Sequence, residues 1–172
     1  MRGFTLIELI ITMVIAAVLI MIAVPSFKNI TLTNRLTTTA NEVVAAISSA
    51  RMEAIKRNAT TQVCGNTGNG SGVGALCGTA TGAVYVMTNN SAELLLAGTT
   101  GIASPITLTG NMTPLRFGGD GLAHTVASTA PYSGLVADIS TDAITTDNHR
   151  CITMTAGSIL STTTQSTACA TP

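Results

Sequence analysis

Aromatic and charged residues are both scarce in this sequence of 172 residues. Tryptophan is absent, aromatic residues make up 3% and charged residues 9%, and the formal net charge is zero. A strong nucleic-acid binder needs a basic stripe that neutralises phosphates, so this composition argues against one. The part after residue 58 is net acidic, with two arginines against five carboxylates. Its many Thr, Ser, Gly and Ala residues suit an extracytoplasmic surface.

The motifs of common enzymes are missing as well. The glycine-rich stretch 65–82 contains no Gly-Lys-Ser/Thr, and no Gly-x-Gly-x-x-Gly opens a helix, so this stretch is expected to be a surface loop rather than a phosphate-binding loop. No Gly-x-Ser-x-Gly elbow and no recognisable catalytic pair of acids occurs. We therefore expect a protein that is not an enzyme and that holds no cofactor and no metal.

A basic leader and a long apolar run begin the sequence. Residues 4–24 span roughly 30 Å as a helix, which is the thickness of a bilayer core. Arg2 fits a cytoplasmic N-terminus. Glu8 is the one charged residue inside the run, and a carboxylate at membrane depth indicates a functional site. An ordinary signal peptide carries no acid there and is cut after its apolar segment.

A second helical segment follows the apolar run. Between Ser26 and Asn58 there is no glycine or proline, and apolar residues recur every three or four positions. This spacing predicts one buried helix face, formed by Leu36, Ala40, Val43, Ile47, Ala50 and Ala54. The whole helix should be about 55 residues long, on the order of 80 Å. Pro25 predicts a kink or a local break, with a simple helix end as the alternative.

Short strands separated by turn residues are predicted for the remainder of the chain. A hairpin turn is expected at Asn89-Asn90-Ser91. The predicted strands are Thr60–Cys64, Ala83–Thr88, Glu93–Ala97, Ile106–Thr109, Pro114–Phe117, Leu135–Ile139, Cys151–Thr155 and Ser158–Leu160. The Ser/Thr-rich tail after Leu160 has no assigned role beyond carrying the last cysteine.

All four cysteines lie in this C-terminal part: Cys64, Cys77, Cys151 and Cys169. An even number in a domain outside the cytoplasm predicts two disulfides. Three pairings are possible, and we favour the nearest-neighbour one, which closes short loops. A zinc site is disfavoured because there is no Cys-x-x-Cys and neither histidine has metal-ligand spacing. His149 is expected to be a surface loop residue.

The segment Gly3-Phe-Thr-Leu-Ile-Glu-Leu9 resembles the class III signal of type IV pilins and type II secretion pseudopilins. The resemblance implies that a prepilin peptidase cuts after Gly3 and N-methylates Phe4. Glu8 would then pair with the new amine of a neighbouring subunit during assembly. The stretch from Asn34 to Arg57 is similar to the GspH/FimT group of minor pilins and pseudopilins.

The predicted fold class is therefore α+β, a long N-terminal helix that carries a β-rich head, and the resemblance implies that this head consists of two small antiparallel sheets. The expected divisions are a leader at 1–3, a transmembrane and assembly helix at 4–25, an amphipathic helix half at 26–58 and the head at 59–172. The resemblance places the protein first in the inner membrane, with its head in the periplasm, and then in an extracellular pilus fibre.

The resemblance leaves three functions open. The favoured one is a minor pilin that primes a type IV pilus, in a tip complex with other minor pilins. Its partners would be these and the major pilin, the peptidase and the inner-membrane assembly platform. The alternatives are a type II secretion pseudopilin and a minor pilin that binds DNA for transformation. In the last group a Gly-Arg-x-Arg motif contacts DNA, whereas this chain has Gly157-Ser-Ile-Leu160, which disfavours DNA as a partner.

Overall fold

One long helix and nine short strands make up the computed structural model, which describes residues 4–88 and 91–170. Helix α1 spans Leu6–Arg57 and is 52 residues long, or about 78 Å. A 3-10 helix at Gly72–Leu76 lies in the glycine-rich loop. The strands are β1 (Thr61–Val63), β2 (Val84–Thr88), β3 (Ser91–Leu96), β4 (Thr107–Leu108), β5 (Leu115–Phe117), β6 (Ala123–Thr125), β7 (Gly134–Ser140), β8 (His149–Thr155) and β9 (Ile159–Gln165).

Capping residues define both ends of α1. Thr5 is the N-cap, and its side chain accepts a hydrogen bond from the backbone N–H of Glu8. At the other end Asn58 adopts a left-handed conformation with φ 45°, which asparagine tolerates better than most residues. Lys56 and Arg57 in the last turn complement the negative end of the helix dipole. The helix continues through position 25, and the kink at Pro25 stays a prediction.

The strands form two antiparallel sheets, which confirms the fold class that the resemblance implied. The first sheet has the order β3-β2-β1-β5-β6, and the second has the order β4-β7-β8-β9. Strands β2 and β3 pair as a hairpin, whose expected turn at residues 89 and 90 lies outside the described residues. The head thus consists of two small sheets that both contact α1.

The predicted apolar face of α1 is the centre of the core. Its six residues, Leu36 to Ala54, are each 0–1% exposed. They pack with apolar side chains from both sheets, the largest of which are Phe117, Leu115, Ile139 and Ile152. Burial of this face supplies most of the packing between helix and head, because apolar area removed from water stabilises by roughly 25 cal/mol per Å².

The tight turn between β8 and β9 links the second sheet to the first by hydrogen bonds. Gly157, between β8 and β9, has φ 67°, a conformation that favours glycine. Its carbonyl accepts from the N–H of Ala123 at 2.8 Å, and its own N–H donates to Tyr132 at 2.7 Å. A Cβ at this position would lie 2.9 Å from the oxygen of Ala123. The turn of the second sheet is therefore held against edge strand β6 of the first.

Three details of the head differ from the prediction. Strand β6 was not predicted, because three residues with the sequence Ala-His-Thr carry no strand signature. Strand β9 continues to Gln165, so the first part of the Ser/Thr-rich tail pairs with β8. The prediction that His149 is a surface loop residue was wrong: it begins strand β8, and its side chain is 12% exposed.

Candidate assembly site

The N-terminal half of α1 is an apolar rod that the head does not cover. From Leu6 to Val24 the large apolar side chains are 46–77% exposed. Within the described part of the chain, one helix, α1, is long and apolar enough to cross a membrane by its length and composition. In water this surface would be strongly unfavourable, so it requires lipid or other apolar helices around it.

Glu8 and Thr5 form a capping box at the exposed tip of this rod. The Glu8 carboxylate oxygen Oε2 accepts from the backbone N–H of Thr5 at 2.9 Å and from its hydroxyl at 2.8 Å. The hydroxyl of Thr5 in turn accepts from the N–H of Glu8 at 3.4 Å. The pattern satisfies two backbone donors that a helix N-terminus otherwise leaves unpaired. Within a single chain, the carboxylate is therefore already hydrogen-bonded.

Thr5 was not among the site residues that the sequence predicted. Its signal was present, because a threonine three positions before a glutamate at the start of an apolar helix is the capping-box pattern. Phe4 precedes it and is 89% exposed. Gly3, the residue of the expected cleavage, lies outside the described residues. The cleavage after Gly3, the methylation of Phe4 and the pairing of Glu8 with a neighbour stay predictions.

Polar contacts fix the C-terminal half of α1 to the head. Arg57 donates to Glu93 of β3 at 2.9 Å, and within α1 it also donates to Glu53 at 2.6 Å. The hydrogen bond from Arg57 holds the pKa of Glu53 below its ordinary value of 4.5. Arg150 of β8 is 5% exposed and donates to the hydroxyl of Thr37 at 3.3 Å. Burial lowers the pKa of the Arg150 guanidinium. The head is thus held to α1 near both ends of the buried face.

Two disulfides stabilise the head, and their pairing is the nearest-neighbour one. Cys64 and Cys77 are 0% and 1% exposed, and their bridge fixes the glycine-rich loop to the end of β1. Cys151 of β8 is bonded to Cys169 in the tail, with the two Cα atoms 5.6 Å apart. The second bridge holds the tail along the outside of the second sheet.

A buried carboxylate lies beside the Cys151–Cys169 bridge. Asp138 is 2% exposed, contacts His149 Nδ1 at 2.8 Å and accepts from the N–H of Cys169 at 2.9 Å. Carboxylate and sulfur atoms of Asp138, Cys151 and Cys169 lie within 4.8 Å of one another, a spacing that suits a metal ion. Both sulfurs are in the disulfide, however, and thiolates rather than disulfides are metal ligands. In this oxidised form the carboxylate anchors the tail.

The segment Gly157–Leu160, compared above with a DNA-contacting motif, forms the end of the β8–β9 turn and the first two residues of β9. No arginine lies in the turn itself, and Ile159 is 63% exposed. One arginine reaches it from α1, because Arg51 Nη1 donates to the carbonyl of Ser158 at 3.0 Å. The guanidinium of Arg51 therefore stabilises the β8–β9 turn of the second sheet.

Two family models match this chain. A model described as type II transport protein GspH matches residues 39–158, which is more than half of the chain. A model of the prokaryotic N-terminal methylation motif matches residues 1–24, the segment that contains Gly3, Phe4 and Glu8. No curated protein and no solved structure matches the chain. The matches agree with the bare apolar helix half and the two-sheet head, and the chain belongs to the GspH family of type IV pilin-like proteins and pseudopilins.

Proposed function

We propose that the protein is a minor pilin that helps to prime a type IV pilus and lies in its tip complex. Prepilin peptidase cuts after Gly3 and methylates Phe4. The apolar half of α1 then leaves the inner membrane and packs among the helices of other minor pilins and of the major pilin, on the assembly platform. The head passes from the periplasm to the pilus surface. No catalytic role is proposed for any residue.

The observation that carries this proposal is the bare apolar half of α1 with one carboxylate at its tip. Its exposed side chains need a partner surface as apolar as lipid. Pairing of Glu8 with the amine of a neighbour's Phe4 would neutralise two charges in apolar surroundings. An unpaired charge there is strongly unfavourable. The pairing would therefore favour one register between neighbouring helices.

A second candidate is a pseudopilin of a type II secretion system. It is favoured by the family match itself, whose description names type II transport. The same helix would then enter a periplasmic pseudopilus, with the same role for Glu8. The number of surface pili on a deletion strain separates the two. Few or no pili support the minor-pilin proposal, whereas normal pili with a loss of secretion support the second candidate.

The role of Glu8 is tested by comparing Glu8→Ala with Glu8→Gln. Glutamine retains the capping box, because its amide oxygen can accept from Thr5, but it carries no charge. Charge pairing predicts that both variants are processed to normal size and that both fail to enter fibres. If Glu8→Gln enters fibres like the wild type, Glu8 acts only as a helix cap. Gly3→Ala, which should slow cleavage, is the control for processing on a gel.

A further inference from the structure

The head has only two basic residues besides its histidines, and they have different surroundings. Arg150 is buried against α1 and donates to Thr37 and to the carbonyls of Asp147 and His149. Arg116, on β5, is partly buried and lies within 4.0 Å of no carboxylate among the described residues. A cation that is partly withdrawn from water without a counter-ion is energetically unfavourable.

Arg116 belongs to a row of polar side chains that crosses four strands of the first sheet. The antiparallel register aligns Tyr85 with Gln62, Gln62 with Arg116 and Arg116 with His124. The neighbours of Arg116 along β5, Leu115 and Phe117, point into the core and are 0–1% exposed. Because side chains alternate between the faces of a strand, the row lies on the face directed away from α1.

The hydrogen bonds of this row are incomplete at the end formed by Arg116 and His124. Gln62 accepts from Arg116 Nη2 at 3.1 Å, and its amide donates to the carbonyl of Asn69 at 2.7 Å. Within residues 4–88 and 91–170, the buried Nε of Arg116 and the buried Nδ1 of His124 have no hydrogen-bond partner. Buried polar atoms are normally paired, so these two require an explanation. The other ring nitrogen of His124 is 3.8 Å from a carboxylate oxygen of Asp120.

A cavity of about 470 Å³ opens at this end of the row. Arg116 and His124 are among the residues that line it, together with the segment 126–129 after β6. That segment contributes both small apolar side chains and hydroxyl groups, and Asp120 stands at the rim, 55% exposed. The volume and the few convergent polar groups are typical of a site for a small molecule rather than for a single ion.

We propose that this cavity binds a small organic carboxylate, with Arg116 as its principal ligand. A guanidinium is a planar fork of five N–H donors that matches a carboxylate, and among the described residues the guanidinium of Arg116 makes only one hydrogen bond, to Gln62. The rim carboxylate of Asp120 and the net negative charge of the head favour a monoanion over a doubly charged phosphate. An acidic side chain of a peptide and a sugar acid share this chemistry.

Nuclear magnetic resonance of the full chain in detergent micelles tests the proposal. Propionate represents an acidic side chain and glucuronate a sugar acid, with propionamide as the neutral control and inorganic phosphate as the competing anion, all at constant ionic strength. The Nε–H signal of Arg116, identified by its loss in Arg116→Gln, and the ring signals of His124 should shift saturably with a carboxylate. Stronger binding of propionate or of glucuronate identifies the source of the carboxylate.

Two variants make the result specific. Arg116→Gln should weaken carboxylate binding at least about tenfold, as read from the His124 ring signals, because a charge-assisted pair is lost. Arg57→Gln removes the same charge from an arginine that already pairs with Glu53 and Glu93, and should bind like the wild type. If Arg116→Gln does not fold, His124→Gln takes its place.

Four outcomes would overturn the proposal, the first three of them because they show no specific binding. These three are no saturable shift with either carboxylate, an equal shift with propionamide, and unchanged binding in the variant that replaces Arg116 or His124. The fourth, tighter binding of phosphate than of either carboxylate, would refute the ligand class.

Discussion

Removing the Cys151–Cys169 bridge tests how the head keeps its tail in place. The two cysteines are 18 positions apart, and a loop of that length corresponds to about 3 kcal/mol of unfolded-state entropy. We expect Cys151→Ala/Cys169→Ala to lower the free energy of unfolding by at least this amount. The hydrogen bond from the N–H of Cys169 to Asp138 should be lost as well, because the bridge is what holds the tail over the buried carboxylate.

Urea unfolding of the full chain in detergent measures the first effect. With a slope of about 1–3 kcal/mol per molar urea, a loss of 3 kcal/mol moves the midpoint by roughly 1–3 M. The double alanine variant of Cys64 and Cys77 is the matched control. Its loop of 13 residues corresponds to almost the same entropy, about 3 kcal/mol. A midpoint that moves by less than about 0.3 M in the Cys151/Cys169 variant would refute the entropic reasoning.

A double-mutant cycle with Asp138→Asn isolates the second effect. In the wild type Asp138 accepts from Cys169 and contacts His149, whereas without the bridge only the contact with His149 should remain. Asp138→Asn should therefore destabilise the bridged protein more than the unbridged one, by on the order of 1 kcal/mol. Equal effects in both backgrounds would mean that the tail stays on Asp138 without its disulfide, and that the bridge does not hold it there.

Two further substitutions test the contacts of the C-terminal half of α1. Leu36→Ala should lower the free energy of unfolding by about 2–5 kcal/mol, because Leu36 is 0% exposed. The control Arg35→Ala, at the exposed neighbouring position, should change the free energy of unfolding by less than about 0.5 kcal/mol. Similar effects of the two substitutions would contradict the burial of this face. Glu53→Gln should lower the free energy of unfolding only at pH values where Glu53 is ionised, because the pKa of Glu53 is lowered in the folded state. The difference in this free energy between variant and wild type should be complete above pH 4.5. It should vanish as the pH falls through the pKa of Glu53 in the folded protein. A difference that persists in strong acid, in unfolding curves measured between pH 2 and 7, would mean that the contact with Arg57 is not electrostatic.

The helix and its buried face could be predicted because their signals are local. The spacing from Leu36 to Ala54 repeats every three or four residues, and the apolar run at residues 4–24 has no charged residue but Glu8. The strands were harder, because many are only two or three residues long. Strand β6 exists through its pairing with β5 and through Gly157 of the second sheet, and neither contact is visible in its own three residues.

The polar clusters of the head could not be predicted for a related reason. Asp138 and His149 meet because β7 and β8 pair, and Tyr85, Gln62, Arg116 and His124 form a row through three strand pairings. Each of these contacts joins residues on different strands, so it depends on how the strands pair and not on the local sequence. Register between distant strands depends on turns, bulges and core packing together. Composition could only indicate that the head has few charges, not which of them would be left without a partner.

Under the proposed function, the carboxylate of Glu8 lies first in the membrane and then in the fibre, and the capping box explains how it is hydrogen-bonded in both. Before assembly, Glu8 has its own Thr5 as donor, so the chain does not present an unsatisfied carboxylate to the membrane. In the fibre, the amine of a neighbour's Phe4 would replace or join these donors. The number of hydrogen bonds changes little in this exchange, but a positive charge now faces the negative one in surroundings of low dielectric constant, where their attraction is strong. The gain exists only in the assembled state, and it requires the tip of one helix to lie beside Glu8 of another.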